Sequence, residues 1–230
     1  MHYDVYSLEA EIFMKILKPL LPDTEQGDIL KNWDLQYDTA SKGAYLFEVF
    51  YKALFREVFG EKNMGGKLVS FLQEETGVFV DFYDKFVNIL LAEKSIWFGS
   101  ETREDIFKRV AETSLKTEIK TWGSVQEITF THILFGGKLP RFLGFDFGPV
   151  AIPGGRATIS QGQIYKSAGR TTSFAASIRI VSDMATDVCV SNMPGGPSDR
   201  RFSRWYTTDL ENWITGKYKT LSASSDEVKF

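Results

Sequence analysis

The hydrophobic period of this chain changes once, near residue 121, from about 3.6 residues to about 2. That change dictates a helical half followed by a strand-and-turn half. Composition shifts at the same place: residues 1–120 carry 21 acids and 15 bases, whereas residues 121–230 carry 9 and 12. Glycine rises from 7 to 12 and proline from 2 to 5 across the break. Residues that break helices are therefore scarce before it and frequent after it.

Four apolar stripes mark the helical half. Ile12, Phe13, Ile16, Leu17 and Leu20 form the first, which Pro22 ends. Phe47, Phe50, Tyr51, Leu54, Phe55, Val58 and Phe59 form the second, closed by Gly60, with Asp38 as its expected N-cap. Phe79, Phe82, Tyr83, Phe86, Val87 and Leu90 form the third. The fourth starts at Thr102, with Asp105 three residues on as a capping box, and carries Ile106, Phe107, Val110, Leu115 and Ile119. Stripes of this kind read as core packing rather than as a cofactor groove.

Beyond the break, Ile128, Phe130 and His132 alternate with Thr129 and Thr131. Phe174, Ala176, Ile178 and Ile180 alternate with Ala175, Ser177, Arg179 and Val181. Val188 to Val190 reads as a partner strand, with Met184 to Thr186 as the intervening turn. Pro153-Gly154-Gly155 and Pro194-Gly195-Gly196-Pro197 are turns. Thr208-Asp209-Leu210-Glu211 is a capping box, followed by Leu210, Trp213 and Ile214 on one helix face and Gly216 as C-cap. The expected fold is α+β, one unit over 1–230: mainly helical over 1–120, strands and turns over 121–206, a closing helix over 207–216 and a tail over 217–230. Ser222–Ser225 in that tail is the one polar low-complexity stretch.

Composition excludes several classes. A chain of 230 residues with 43% hydrophobic and 25% charged content buries a core without disulfides. No apolar run approaches the ~18 residues of a spanning helix, so no membrane partner is expected. The net charge of −3 gives no basic footprint for nucleic acid. One cysteine, Cys189, excludes an internal disulfide framework and a Cys-rich zinc site. Asp4, Glu9 and Glu11 stand where a signal peptide would be basic and then apolar, so the chain is expected to be cytosolic or to begin inside a longer precursor. Phe 19, Tyr 9 and Trp 5 are an unusual load of rings, which predicts a thick core or a large apolar face.

Chemistry-bearing motifs are nearly absent. There is no phosphate loop, no Rossmann fingerprint and no His-Glu-x-x-His. Gly196-Pro197-Ser198-Asp199-Arg200 lacks the closing glycine of a nucleophile elbow. His132 reads as a satisfied core histidine, and Cys189, between two valines, as a buried inert thiol. Arg200, Arg201 and Arg204 beside Trp205 and Tyr206 read as a solvated loop or ion-pair site. Arg179 and Asp183 share a strand face ~13 Å apart and cannot pair with each other.

The order of local motifs carries more than any one of them. It runs from Asp4-Val5-Tyr6-Ser7-Leu8-Glu9-Ala10 through Leu30, Trp33-Asp34, Asp38, Ser41, Ala44 and Leu46-Phe47-Glu48. Trp97-Phe98, Glu101-Thr102, Trp122-Gly123, Phe130, His132, Pro153-Gly154-Gly155 and Ala157-Thr158-Ile159 follow. It continues through Ser177-Ile178-Arg179-Ile180-Val181-Ser182-Asp183 and Pro194-Gly195-Gly196 to Ser198, Ser203, Tyr206, Leu210, Trp213, Gly216 and Tyr218. Over residues 4 to 220 this resembles the C-terminal portion of the β chain of penicillin acylases (penicillin amidases), which are N-terminal-nucleophile hydrolases. The chain departs from the family where Pro197 and Asp199 flank Ser198, and where Arg204, Trp205, Thr207 and Thr208 surround Tyr206.

The resemblance implies a portion of the layered αββα fold of these hydrolases, often periplasmic or secreted and tied to antibiotic metabolism. It implies an amidohydrolase that removes an acyl group from an amine, with a serine at the first position of the β chain and that serine's α-amino group as base. The nucleophile, oxyanion donors, acyl-pocket aromatics and calcium ligands of the family lie before the matched region. The chain alone is therefore expected to be inactive, with no catalytic, cofactor or metal residue of its own. Arg179, Asp183, Ser198 and Tyr206 are expected to be buried, hydrogen-bonded scaffold. The expected partners are the remainder of the acylase or a second copy. The rival reading is a stand-alone, non-catalytic binding module with Arg200–Tyr206 as its contact loop.

Overall fold

A computed structural model describes residues 1–74, 80–162 and 175–221. The fold class is α+β: among the described residues seven α-helices accompany two small antiparallel sheets. The chain divides into two compact units. The helical unit comprises residues 4–129 and 148–174, and the strand-side unit residues 1–3, 130–147 and 175–230.

The helical unit contains α1 (Leu8–Leu17), α2 (Glu25–Lys31), α3 (Lys42–Phe59), α4 (Gly66–Glu74), α5 (Val80–Leu91) and α6 (Arg103–Ser114). Ser7 caps α1 by accepting the Ala10 N–H at 3.1 Å, and Thr24 caps α2 through Gly27 at 3.2 Å. The N-cap of α3 is Ser41, which accepts the Ala44 N–H, and not the expected Asp38. Asp38 instead sits one turn earlier, where its carbonyl accepts the Ser41 N–H. Thr102 caps α6 as expected, with the Asp105 N–H donating to Thr102 Oγ1 at 3.1 Å, while the Thr102 hydroxyl donates to the Asp105 carboxylate at 2.6 Å.

The second stripe becomes the axis of this unit. Phe47, Phe50, Tyr51, Leu54, Phe55 and Phe59 of α3 are all essentially removed from solvent. Phe13 of α1 meets Tyr51 edge-on at 5.5 Å and stacks on Phe107 of α6 at 6.1 Å. Phe50 meets Phe107 at 5.5 Å. Toward the C-terminal end of α3, Phe59 meets Phe86 at 4.7 Å and Trp97 at 5.3 Å. Of the third stripe, Val87 and Leu90 are buried. Phe79 lies outside the described residues, as do the side chains of Phe82 and Tyr83.

Residues 148–162 return to the helical unit and dock on it by backbone bonds. Gly154 N–H donates to the Tyr37 carbonyl at 2.8 Å, and Ser160 N–H to the Asp4 carbonyl at 2.8 Å. The Trp122 indole N–H reaches the Gly154 carbonyl at 2.8 Å. Gly154 holds φ +89°, and the Ser160 carbonyl occupies the space a β-carbon would need. From this segment Arg156 projects into the helices. Its guanidinium pairs with Glu9, lies 3.8 Å over the Tyr51 ring and approaches Glu48 at 3.9 Å. Glu48 Oε1 also accepts the Tyr37 hydroxyl at 2.8 Å. Burial, and then the Glu48 charge, push the Tyr37 phenol well above its ordinary range.

β1 (Glu127–Phe130) and β2 (Phe147–Ala151) pair as a two-stranded sheet. In the strand-side unit β3 (Arg179–Asp183), β4 (Val188–Asn192) and β5 (Lys219–Leu221) form an antiparallel sheet in the order β3-β4-β5. Arg179 faces Asn192 and Asp183 faces Val188, so the hairpin anticipated around Met184 to Thr186 is present. Phe174 lies outside the described residues, as does Ser222–Ser225. Among the described residues of 125–192 strand content is lower than the alternation suggested, with four strands of four or five residues each. Pro153 follows β2 closely and Pro194 follows β4, where a missing N–H ends the ladder.

The closing helix α7 (Leu210–Thr215) ends at Gly216 in the left-handed region, as expected. Its capping box does not form. Asp209 holds the N-cap position without a side-chain cap, and its buried carboxylate pairs with Lys219 of β5 at 2.7 Å. The ion pair ties α7 to the sheet in place of the local cap.

Removing Arg156 should leave Glu48 buried beside Tyr37 without its counter-charge. Arg156→Ala is expected to lower unfolding free energy by ~3–5 kcal/mol in urea titration. A loss below ~1 kcal/mol, the range of an exposed pair, would show that the network is peripheral.

Candidate functional site

Unit by unit, the structure concentrates polar and aromatic groups at one cleft, which lies wholly in the strand-side unit. It has a volume of about 160 Å³ and is lined by Phe130, His132, Phe145, Phe147, Ser198 and Tyr206, with the Pro194–Gly196 turn and Leu210 closing it. Gly195, at φ +120°, lets this turn reverse beside the cleft.

His132 does not belong to a strand core, because β1 ends at Phe130. It is half-buried in a turn, and its Nδ1 accepts the N–H groups of Leu134 and Phe135 at 3.1 and 3.2 Å. That arrangement places the proton of the neutral ring on Nε2. The ring lies 5.2 Å from Phe145, edge-on, and 5.2 Å from Phe135. Asp146 organises the same turn. Its carboxylate accepts the His132 N–H at 2.9 Å and the Gly137 N–H at 2.8 Å. Those two backbone bonds, Gly137 first, hold the Asp146 carboxyl below its usual range.

The four polar residues singled out in the sequence separate into different places. Arg179 alone is buried as expected. Its guanidinium lies 4.3 Å over Tyr3 and 5.3 Å from the Trp213 ring, a cation held between two aromatic faces. Asp183 is exposed, not buried, and accepts the Ala185 N–H at 2.9 Å to close the β3–β4 hairpin. Hydrogen bonds from Thr186 and Ala185 lower its carboxyl. Ser198 and Tyr206 are half-buried, and the structure brings them together at the cleft. Ser198 Oγ accepts the Arg200 N–H at 3.2 Å. Tyr206 donates its hydroxyl to the Phe145 carbonyl at 2.8 Å, and burial raises its phenol.

Among the described residues no serine is hydrogen-bonded to a histidine, and no three His, Cys, Asp or Glu side chains converge as a metal site. Cys189 is half-buried rather than fully buried, with the Ser182 hydroxyl 3.4 Å from its sulfur. A second hollow of about 230 Å³, in the helical unit, contains Glu57, Glu101 and Arg109. Both carboxylates pair with Arg109, at 3.1 and 2.9 Å, which closes that cluster on itself. The cleft therefore offers an aromatic lining, one imidazole donor and the hydroxyls of Thr131, Ser198, Tyr206 and Thr207. It does not assemble a nucleophile with its base.

Sequence reasoning missed Asp146 and Phe145. The available signal was Gly144-Phe145-Asp146-Phe147-Gly148, a carboxylate between aromatic and glycine residues, which is a turn signature.

The penicillin amidase family model matches residues 1–230. No curated protein matches the chain.

The amide protons of His132 and Gly137 should report the ionisation of Asp146. Their resonances are expected to titrate together, with a midpoint below the ~3.9 of an unperturbed aspartate. A depressed carboxyl stabilises the fold above its unfolded pKa, and that contribution is lost as pH falls through the folded value. Asp146→Asn should remove the titration. A midpoint at or above the ordinary value would contradict the two-amide cradle.

Proposed function

The chain belongs to the penicillin amidase family, and we propose that it forms the C-terminal scaffold of an amidohydrolase that cleaves an acyl group from an amine. The observation that carries this reading is the family match over 1–230, set beside a site that assembles no nucleophile and base among the described residues. In this family the base is the nucleophile's own α-amino group, so a scaffold portion needs no catalytic histidine.

The strand-side unit supports a buttressing role. Among the described residues β3 pairs with β4 on one side and is the edge of its sheet. Ile180 and Val181 along it, and Ile178 just before it, are 45–49% exposed. An apolar edge of this kind is a template for a further strand. Arg179, clamped between Tyr3 and Trp213, fixes the first residue of that edge. The helical unit supplies the rigid layer, through the ring contacts along α3. The reacting groups and any calcium come from other residues of the parent enzyme, and the rest of that enzyme is the partner.

Purified alone, the chain is expected to hydrolyse penicillin G and other N-acyl amines no faster than buffer. Turnover that persists through purification and is lost on a defined substitution within these residues would overturn the scaffold reading. Buffer-level rates, together with restored turnover when the chain is joined to a nucleophile-bearing amidase portion, would support it over a stand-alone binding module.

A further inference from the structure

Two loops of the strand-side unit, residues 131–146 and 198–206, are laced together. Arg201 Nε donates to the Leu143 carbonyl at 2.7 Å, and Tyr206 to the Phe145 carbonyl at 2.8 Å. Phe145 then meets Phe202 at 6.3 Å and Phe135 at 5.3 Å, so one ring bridges both loops. From this platform large apolar side chains project outward: Ile133 is 92% exposed, Phe142 84% and Phe202 85%, with Leu134 and Trp205 also exposed.

Each apolar tip has a cation beside it in the chain. Lys138 follows the Ile133 turn, Arg141 precedes Phe142, and Arg200 and Arg204 flank Phe202. All four are exposed. Among the described residues Lys138, Arg200 and Arg204 enter no ion pair, and the Arg204 guanidinium lies 4.3 Å over the Trp205 ring. The opposing acids in the loops are Asp146 and Asp199. The Asp146 carboxylate already accepts two backbone N–H groups. A net-acidic protein thus gathers positive charge around its most exposed rings.

We infer that these loops dock the protein on an anionic lipid surface, with Ile133, Phe142 and Phe202 entering the headgroup boundary and Lys138, Arg141, Arg200 and Arg204 meeting lipid phosphates. The shape favours lipid over a protein groove. The tips protrude singly from separate turns, and a fluid interface accepts such side chains without matching pockets. Tryptophan beside arginine suits the headgroup level. Cations near an anionic leaflet are drawn to it within a Debye length. No described helix is long and apolar enough to cross a membrane, so the contact is peripheral. The sequence pointed away from a membrane partner because it holds no continuous apolar run of membrane-spanning length. These tips are scattered, and only the fold collects them. The inference is independent of the hydrolase reading.

Vesicle flotation of the intact chain tests it. The chain should float with vesicles containing phosphatidylglycerol, not with pure phosphatidylcholine, and added salt should release it. Arg200→Gln with Arg204→Gln should weaken partitioning roughly 25-fold, at about fivefold per cation. Phe142→Ser with Phe202→Ser should abolish it while the circular dichroism spectrum is unchanged. Should the serine variant lose its fold, Arg200→Gln with Arg204→Gln still decides the matter, since both positions are exposed. Failure to float with anionic vesicles, or equal flotation of the arginine variant, would overturn the inference. So would a salt-sensitive self-association that both double variants abolish without any vesicle binding, because that outcome assigns the tips to a second copy.

Discussion

The Arg156 guanidinium, held between Glu9 and Glu48 over the face of Tyr51, is the interaction on which the helical unit's architecture depends. It joins α1, α3 and the returning 148–162 segment in one place. A buried arginine costs several kcal/mol to desolvate. Two carboxylates and an aromatic face offset that cost only while the three elements stay in register. The same geometry explains why Pro153-Gly154-Gly155 must turn where it does. Gly154 accepts the Trp122 indole N–H and donates to Tyr37, and Tyr37 in turn donates to Glu48. Backbone docking and buried charge are two ends of a single hydrogen-bonded chain.

Helix stripes were legible because burial in this unit follows the 3.6-residue period closely. α1, α3 and α6 bury Phe13, the ring run of α3 and Phe107 as the pattern assigned, but Ile12 of the first stripe is exposed and Ile119 of the fourth lies beyond the end of α6. α2 and α4 were not legible. α2 is seven residues long and includes Gly27, and α4 follows Gly65-Gly66, so neither presents a sustained stripe between clear breakers. The N-cap of α3 was misassigned for a related reason. Asp38 and Ser41 are both good caps, and the Trp122 and Gly123 amides, bonded to the Ser41 and Thr39 carbonyls, draw the chain into a turn that starts the helix at Ser41. That is a tertiary bond between residues some eighty positions apart, beyond the reach of local pattern.

The strand-side unit shows the opposite balance. Alternation revealed the β3–β4 hairpin, but not how short the ladders are or that His132 lies beyond a strand end. Site residues chosen from motif order sorted by environment once the fold was known. Arg179 entered a two-ring cation clamp, Asp183 a solvent-facing turn, and Ser198 and Tyr206 a shared cleft. Local sequence could not separate these fates, because Tyr3, Trp213 and Phe145 reach them from distant parts of the chain. The Thr208 capping box failed similarly. The helix starts one residue later, at Asp209, and the Asp209 carboxylate pairs with Lys219, ten residues on, instead of capping it.

On the proposed reading, family membership and the incomplete constellation among the described residues mean that this chain shapes and supports an amidohydrolase without supplying its reacting atoms. Intact-mass spectrometry after incubation with a serine-directed acylating or sulfonylating reagent tests that statement most directly, since an activated nucleophile reacts stoichiometrically and an ordinary hydroxyl does not. The account predicts an unmodified mass for the folded chain. A single stoichiometric adduct, mapped to one side chain and lost on denaturation before treatment, would contradict it.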